Sequence, residues 1–145
     1  MVKEMKNRGM IVLLALWITA CSQKPEALQY GKDACVHCMM TIMDRKFGAE
    51  IVTSKGKVYK FDSAECMLGY ISEKRGQFGD ADTYLVVNYK SGGTLMDARK
   101  CTYIHDQKIS SPMGGNLAAL ASEQEAKIFL GNGNGKLLTW NELVK

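Results

Sequence analysis

Residues 1–21 have the pattern of a secretion signal, which would not be part of the folded domain. A basic start over residues 3–8 precedes an apolar run, MIVLLALWITA, over residues 10–20. The run is shorter than the roughly 20 apolar residues of a membrane-spanning helix, and it has the charge and length of a secretory signal. Its end, ITAC, resembles a bacterial lipobox. We therefore predict that residues 1–20 are a lipoprotein signal peptide; an N-terminal anchor helix with a chance cysteine is the alternative.

Cys21 is the predicted lipidation site. A thioether-linked lipid together with an acylated amine supplies the multiple chains that stable membrane anchoring requires. Residues 21–32 are largely polar and are predicted to be a tether between the lipid and the folded part. The rest of the chain, residues 33–145, has the length and hydrophobic content of one compact domain or two small halves. The net charge of +4 is not concentrated in any basic run, which argues against nucleic acid as a partner.

Alternating apolar residues predict an α+β fold. The first half shows two strands within residues 47–62, a helix over 64–74 capped at Asp62-Ser63, and a strand over 83–89. Two short strands are predicted within 92–105.

The last third of the chain repeats this kind of pattern. It shows a strand over 116–122, a capping box at Ser122 and Glu125, a helix over 123–133, and a strand followed by a turn within 136–144. The strings YKFDSAEC and TLMDARKC both place a cysteine four residues after an aspartate. We predict two similar ββαβ-like halves, approximately 33–90 and 91–145.

Sulfur-containing side chains are the chemically distinctive feature. The hexapeptide CVHCMM at residues 35–40 contains two cysteines, a histidine and two methionines. Thiolate and thioether are soft ligands that together favour Cu(I) over harder ions. The sulfur residues that follow Cys21 are Cys35, Cys38, Cys66, Cys101, Met39, Met40, Met43, Met67, Met96 and Met113.

Three other interpretations of the cysteines stay open at this point. A thiol–disulfide oxidoreductase would use Cys35 and Cys38, although such motifs usually follow a strand and none precedes this one. A zinc site could use all four cysteines, but their spacing matches no zinc ribbon. Disulfides would pair Cys35 with Cys38 or Cys66 with Cys101. Buried methionines need be no more than core packing.

The copper interpretation ranks first because Cys35, Cys38 and Met40 can present three sulfurs from one short loop. His37, flanked by the two thiols, is a further candidate ligand. Such a site would hold Cu(I) as cargo, and partial exposure would let the ion leave.

The string DACVHCMMTIMDRKFGAEIVTSKGKVYKFDSAECMLGYI is similar to the opening of NosL-type proteins, the accessory lipoproteins of nitrous oxide reductase. YLVVNYKSGGTLMDARKCTYI, SPMGGNLAALASEQEAKIFL and GKLLTWNEL continue the resemblance in order, from Asp33 to Val144. It implies a periplasm-facing Cu(I) chaperone, not an enzyme. Its partners would be the nitrous oxide reductase apoprotein and an ABC-type membrane complex. The implied fold is α+β with two similar halves, related in shape to the organomercurial lyase core.

The resemblance also assigns residues. The family's Cys-x-x-Cys-x-Met falls on Cys35, Cys38 and Met40, and its Ser-Pro-Met-Gly makes Met113 the distant candidate ligand. Some members carry a histidine where this chain has Gly115, so His37 is the candidate substitute.

Overall fold

The computed structural model of the protein describes residues 24–145, so the predicted signal peptide and Cys21 lie outside the described residues. Across this range no helix has the length and apolar character needed to cross a bilayer. The chain includes one 3-10 turn, at Ala98–Lys100, among the described residues. The elements in chain order are β1 (Ala49–Val52), β2 (Val58–Phe61), α1 (Ala64–Glu73), β3 (Thr83–Val87), β4 (Leu95–Asp97), β5 (Thr102–His105), β6 (Leu117–Leu120), α2 (Glu123–Leu130), β7 (Lys136–Thr139) and α3 (Trp140–Leu143).

The structure contains two antiparallel sheets with related strand orders. The first has the strand order β2-β1-β3-β4, and the second has the order β6-β5-β7. In both, the leading strand of a ββαβ unit lies between the other two, and a helix follows the second strand. The helices also begin alike, because Ser63 caps α1 and Ser122 caps α2 through their side-chain oxygens. The predicted α+β class with two similar units is confirmed.

Strand β4 extends the first sheet rather than the second. Residues 95–97 pair with β3, with Val86 opposite Met96, although residue 91 is the predicted start of the second half. The pairing follows from the short connection after β3, which is closed by hydrogen bonds between Asn88 and Thr94 and between Asn88 and Gly92. The chain then crosses to the second sheet through the 3-10 turn.

Aromatic side chains fill the space between the first sheet and α1. The rings of Phe61 and Tyr70 lie 5.5 Å apart, and those of Tyr59 and Tyr70 lie 5.7 Å apart. Phe61 is fully buried. Aromatic pairs at these separations add about 0.5–1.5 kcal/mol beyond their area of burial. The packing holds the second half of α1 against β2.

The segment before residue 33 contacts the first sheet. Leu28 is buried, and a Cβ on Gly48 would overlap its side chain. The Lys60 ammonium lies 3.1 Å from a Glu26 oxygen and 3.0 Å from an Asp33 oxygen. These contacts hold residues 26–33 against the first sheet. Residues 26–32 of this segment belong to the predicted tether.

Candidate soft-metal site

The CVHCMM segment forms a closed hairpin. The Cys35 N–H donates to the Met40 carbonyl at 2.8 Å, and the Met39 N–H donates to the Cys35 carbonyl at 3.0 Å. A single bridge joins Ala34 and Thr41 at its base. Met39 has a φ of 64°, a left-handed conformation that is uncommon outside glycine. These hydrogen bonds define a tight turn that brings residues 35–40 together.

One backbone hydrogen bond docks this hairpin on the first sheet. The Val36 N–H donates to the Lys60 carbonyl of β2 at 3.0 Å. Strand β2 ends one residue later and passes through Asp62 and Ser63 into α1. Cys35 therefore lies beside the junction of β2 and α1, where the backbone N–H of Asp62 helps to lower its pKa.

Cys66 comes to the same junction from the helix side. It is the third residue of α1, and its N–H donates to the Ser63 hydroxyl at 3.2 Å. The predicted cap at Asp62-Ser63 is therefore made by Ser63. The Sγ atoms of Cys35, Cys38 and Cys66 all lie within 4.8 Å of one another. Cys35 and Cys66 are buried and Cys38 is half-buried, so the cluster has one open side.

The surroundings of Cys35 favour its thiolate form. The adjacent Cys66 thiol lowers the pKa of the Cys35 thiol to about 4, helped by the nearby N–H groups of Cys38, Asp62 and His37; the Cys38 N–H donates to the Cys35 sulfur at 3.5 Å. The Cys35 sulfur, together with burial, raises the pKa of Cys66. Burial raises the pKa of Cys38. At neutral pH one sulfur is therefore charged and two retain their protons.

Asp62 is a buried carboxyl beside this thiolate. Burial and the charge on Cys35 raise its pKa, and the Met43 N–H opposes that shift by donating to it.

The two candidate thioether ligands lie on exposed turns. Met40 lies two residues after Cys38 in the hairpin and is 48% exposed. Met113 is 44% exposed. Its loop contacts the start of α1, because the Ser111 hydroxyl donates to the Glu65 carboxylate. Met113 therefore belongs to a loop anchored to the residue next to Cys66.

His37 lies outside the group of three sulfurs. Its ring packs edge-on against Tyr70 with centroids 6.3 Å apart, and its Nδ1 lies 3.7 Å from a Glu73 oxygen. Its Nε2 faces Gly69, where an added Cβ would be only 2.8 Å away. The structure thus directs this ring onto α1, and its role as a ligand stays a prediction.

Cys101 is separate from the other cysteines. Its thiol donates to the Asp97 carbonyl at 3.2 Å, and burial raises its pKa to about 11. All four cysteines within residues 24–145 are free. The structure therefore contains neither the Cys66–Cys101 disulfide nor a four-cysteine zinc set.

Geometry favours metal binding over disulfide exchange. The only cysteine of the cluster with a lowered pKa, Cys35, is fully buried, whereas an attacking thiolate must be accessible. Zinc prefers four ligands in a tetrahedron, whereas three sulfurs with an open side suit a soft ion of low coordination number.

The comparisons with known proteins agree with this chemistry. The NosL family profile matches residues 28–145. The chain belongs to the NosL family. It is 31% identical to the copper-binding lipoprotein NosL of Stutzerimonas stutzeri, over 91% of this chain and 76% of that protein. That name describes a copper-binding lipoprotein and not an enzyme, in agreement with the prediction that this chain is not an enzyme.

A solved NosL structure has the same fold. The crystal structure of the copper chaperone NosL from Shewanella denitrificans superposes with a TM-score of 0.69 at 17% sequence identity. The match covers 83% of this chain and 95% of that one. The relation of the NosL fold to the organomercurial lyase core stays a prediction.

Two residues of the site were absent from the predicted ligand set. The sequence suggests Cys66 only as part of a disulfide or of a four-cysteine zinc set, and it does not suggest Glu65 as part of the site. The sequence places Cys66 at the start of the predicted helix over 64–74, but no local pattern indicates that this turn meets the CVHCMM segment.

Proposed function

We propose that the protein is a membrane-anchored metallochaperone that binds Cu(I) and delivers it for assembly of the copper centres of nitrous oxide reductase. The observation that carries this proposal is the cluster of Cys35, Cys38 and Cys66, buried on one side and open on the other. Three soft sulfurs in one place suit Cu(I), and no group in the cluster is arranged for turnover of an organic substrate.

Copper would enter and leave through the open side. The Cys35 thiolate supplies the first charge, and half-buried Cys38 can meet the ion at the surface. Met40 and Met113, both exposed, are proposed to complete the coordination from the rim. Thioether ligands are neutral, so a partner can replace them one at a time before the thiolates release the ion.

The proposed delivery of copper is supported by the similarity to two named relatives. One is named a copper-binding lipoprotein and the other a copper chaperone, and the proposal extends both descriptions to this chain. Its partners would be the nitrous oxide reductase apoprotein and an ABC-type membrane complex, met on the periplasmic side. A lipid on Cys21 would raise the effective concentration of the chaperone near such a complex.

Oxidation should abolish copper binding. The reduced chain, titrated anaerobically with Cu(I) against a competing chelator, should bind tightly. A Cys35–Cys38 disulfide removes the thiolates and should prevent binding. Equal Cu(I) uptake by reduced and oxidised protein would place the ion elsewhere and contradict the proposal.

Membrane association should depend on Cys21. Cys21→Ser removes the thiol that carries the lipid, so the protein should leave the membrane fraction and lose incorporation of labelled fatty acid. Cys101→Ser is the matched control and should stay membrane-bound. Persistent membrane binding of Cys21→Ser without acyl label would overturn the lipobox assignment.

A further inference from the structure

Glu65 joins the two ββαβ units at the site. It is the second residue of α1, next to Cys66, and its Oε1 accepts hydrogen bonds from two groups of the second unit. One is the Ser111 hydroxyl, and the other is the Leu117 N–H at 3.3 Å. A single carboxylate oxygen thus holds both ends of the loop that contains Met113 to the helix that contains Cys66.

The loop itself is ordered around the same contact. The Asn116 N–H donates to the Ser111 hydroxyl at 2.9 Å, and the Gly114 N–H donates to the Ser111 carbonyl at 3.0 Å. Asn116 adopts a left-handed φ of 59°. Ser111 therefore both closes the turn and connects it to Glu65.

No room is left for a side chain at Gly115, which packs directly against Glu65. A Cβ on Gly115 would lie 2.7 Å from the Glu65 Cγ and 3.2 Å from its Cδ. A side chain at position 115 would therefore displace Glu65. The second carboxylate oxygen of Glu65 is buried and has no hydrogen-bond partner among the described residues. Such an atom is unfavourable, so the hydrogen bonds on the other oxygen must hold the carboxylate in place.

We propose that Glu65 is a positioning residue of the copper site, which sets the place of Met113 relative to Cys66. The inference rests on the proposed function. Residues that orient metal ligands without touching the ion typically change metal affinity by about 10- to 100-fold when they are removed. The effect of Glu65 should pass through Met113, because the Met113 loop is what its carboxylate holds.

A double-mutant cycle tests this. Glu65→Ala should weaken Cu(I) binding about 10- to 100-fold in the parent, and by no more than Met113→Leu does. In the Met113→Leu background, Glu65→Ala should change the affinity little, since there is no thioether left to position. Glu65→Gln keeps an oxygen that can accept both hydrogen bonds and should bind nearly as the parent does. Glu123→Ala, which removes an exposed carboxylate from the first turn of α2, is the matched control.

X-ray absorption of the copper complex gives a readout that a general loss of stability does not. Glu65→Ala should lose one sulfur scatterer, as Met113→Leu does, whereas Glu65→Gln should keep it. Ser111→Ala, a smaller change in the same link, should show the same loss in weaker form if Glu65→Ala folds poorly.

The outcomes separate the two proposals. If the parent and Met113→Leu differ but Glu65→Ala binds like the parent, the positioning role is wrong and the copper function stands. Equal weakening by Glu65→Ala in both backgrounds would mean that it acts through the fold or Cys66, which also overturns the role. Unchanged affinity of Met113→Leu removes both Met113 and Glu65 from the site. A parent that binds no Cu(I) overturns the proposed function itself.

Discussion

Cys66→Ala should weaken Cu(I) binding by at least about 100-fold, beyond what loss of a supporting residue usually does. The change removes one of three sulfurs that lie within 4.8 Å of one another. It also removes the adjacent thiol that lowers the pKa of Cys35. The remaining thiolate should then form only at a higher pH. Chelator competition measures the first effect, and ultraviolet titration of the thiolate measures the second.

Cys101→Ala is the control for this variant. Both cysteines are buried and free, but only Cys66 belongs to the cluster. Cys101→Ala should therefore keep the copper affinity, although it loses the contact with Asp97. If the two variants bind Cu(I) alike, Cys66 is a core residue and the ion is held by the CVHCMM hairpin without it.

Local sequence patterns were sufficient for the secondary structure. The alternation within 47–62 predicts two strands about a turn, and the structure has β1 and β2 there. Ser122 with Glu125 predicts the start of α2, where the Glu125 N–H donates to the Ser122 hydroxyl. These features depend on neighbours within four residues, so one sequence contains all the information they need.

The composition of the site depends on contacts that are distant along the chain. Cys35 meets Cys66 because the hairpin pairs with Lys60 in β2, and nothing in CVHCMM specifies that register. The link from Ser111 to Glu65 joins two units that no local pattern brings together. The resemblance to the NosL family supplied Met113 as a candidate, but only the fold shows which residue anchors its loop.

The affinity for Cu(I) should fall steeply as the pH is lowered, because Cu(I) must displace protons from the cysteine thiols. Near neutral pH, Cys35 is already a thiolate, whereas Cys38 and Cys66, whose pKa values are raised, carry protons. Each proton that the ion displaces weakens binding about tenfold for every pH unit of acidification. Between about pH 8 and about pH 5, a site that uses Cys35 and one other thiol should show a slope of about one decade per unit.

The slope therefore counts the thiolates. A slope of about two would mean that Cys35, Cys38 and Cys66 all bind the ion as thiolates. Below about pH 4 the slope should rise by one more, because Cys35 itself becomes protonated. Cys101→Ala should leave the profile unchanged, since its thiol lies outside the cluster. The measurement is chelator competition across this range, corrected for protonation of the chelator. An affinity independent of pH between about pH 8 and about pH 5 would mean that neither Cys38 nor Cys66 binds the ion as a thiolate, and it would exclude the three-cysteine cluster as the site.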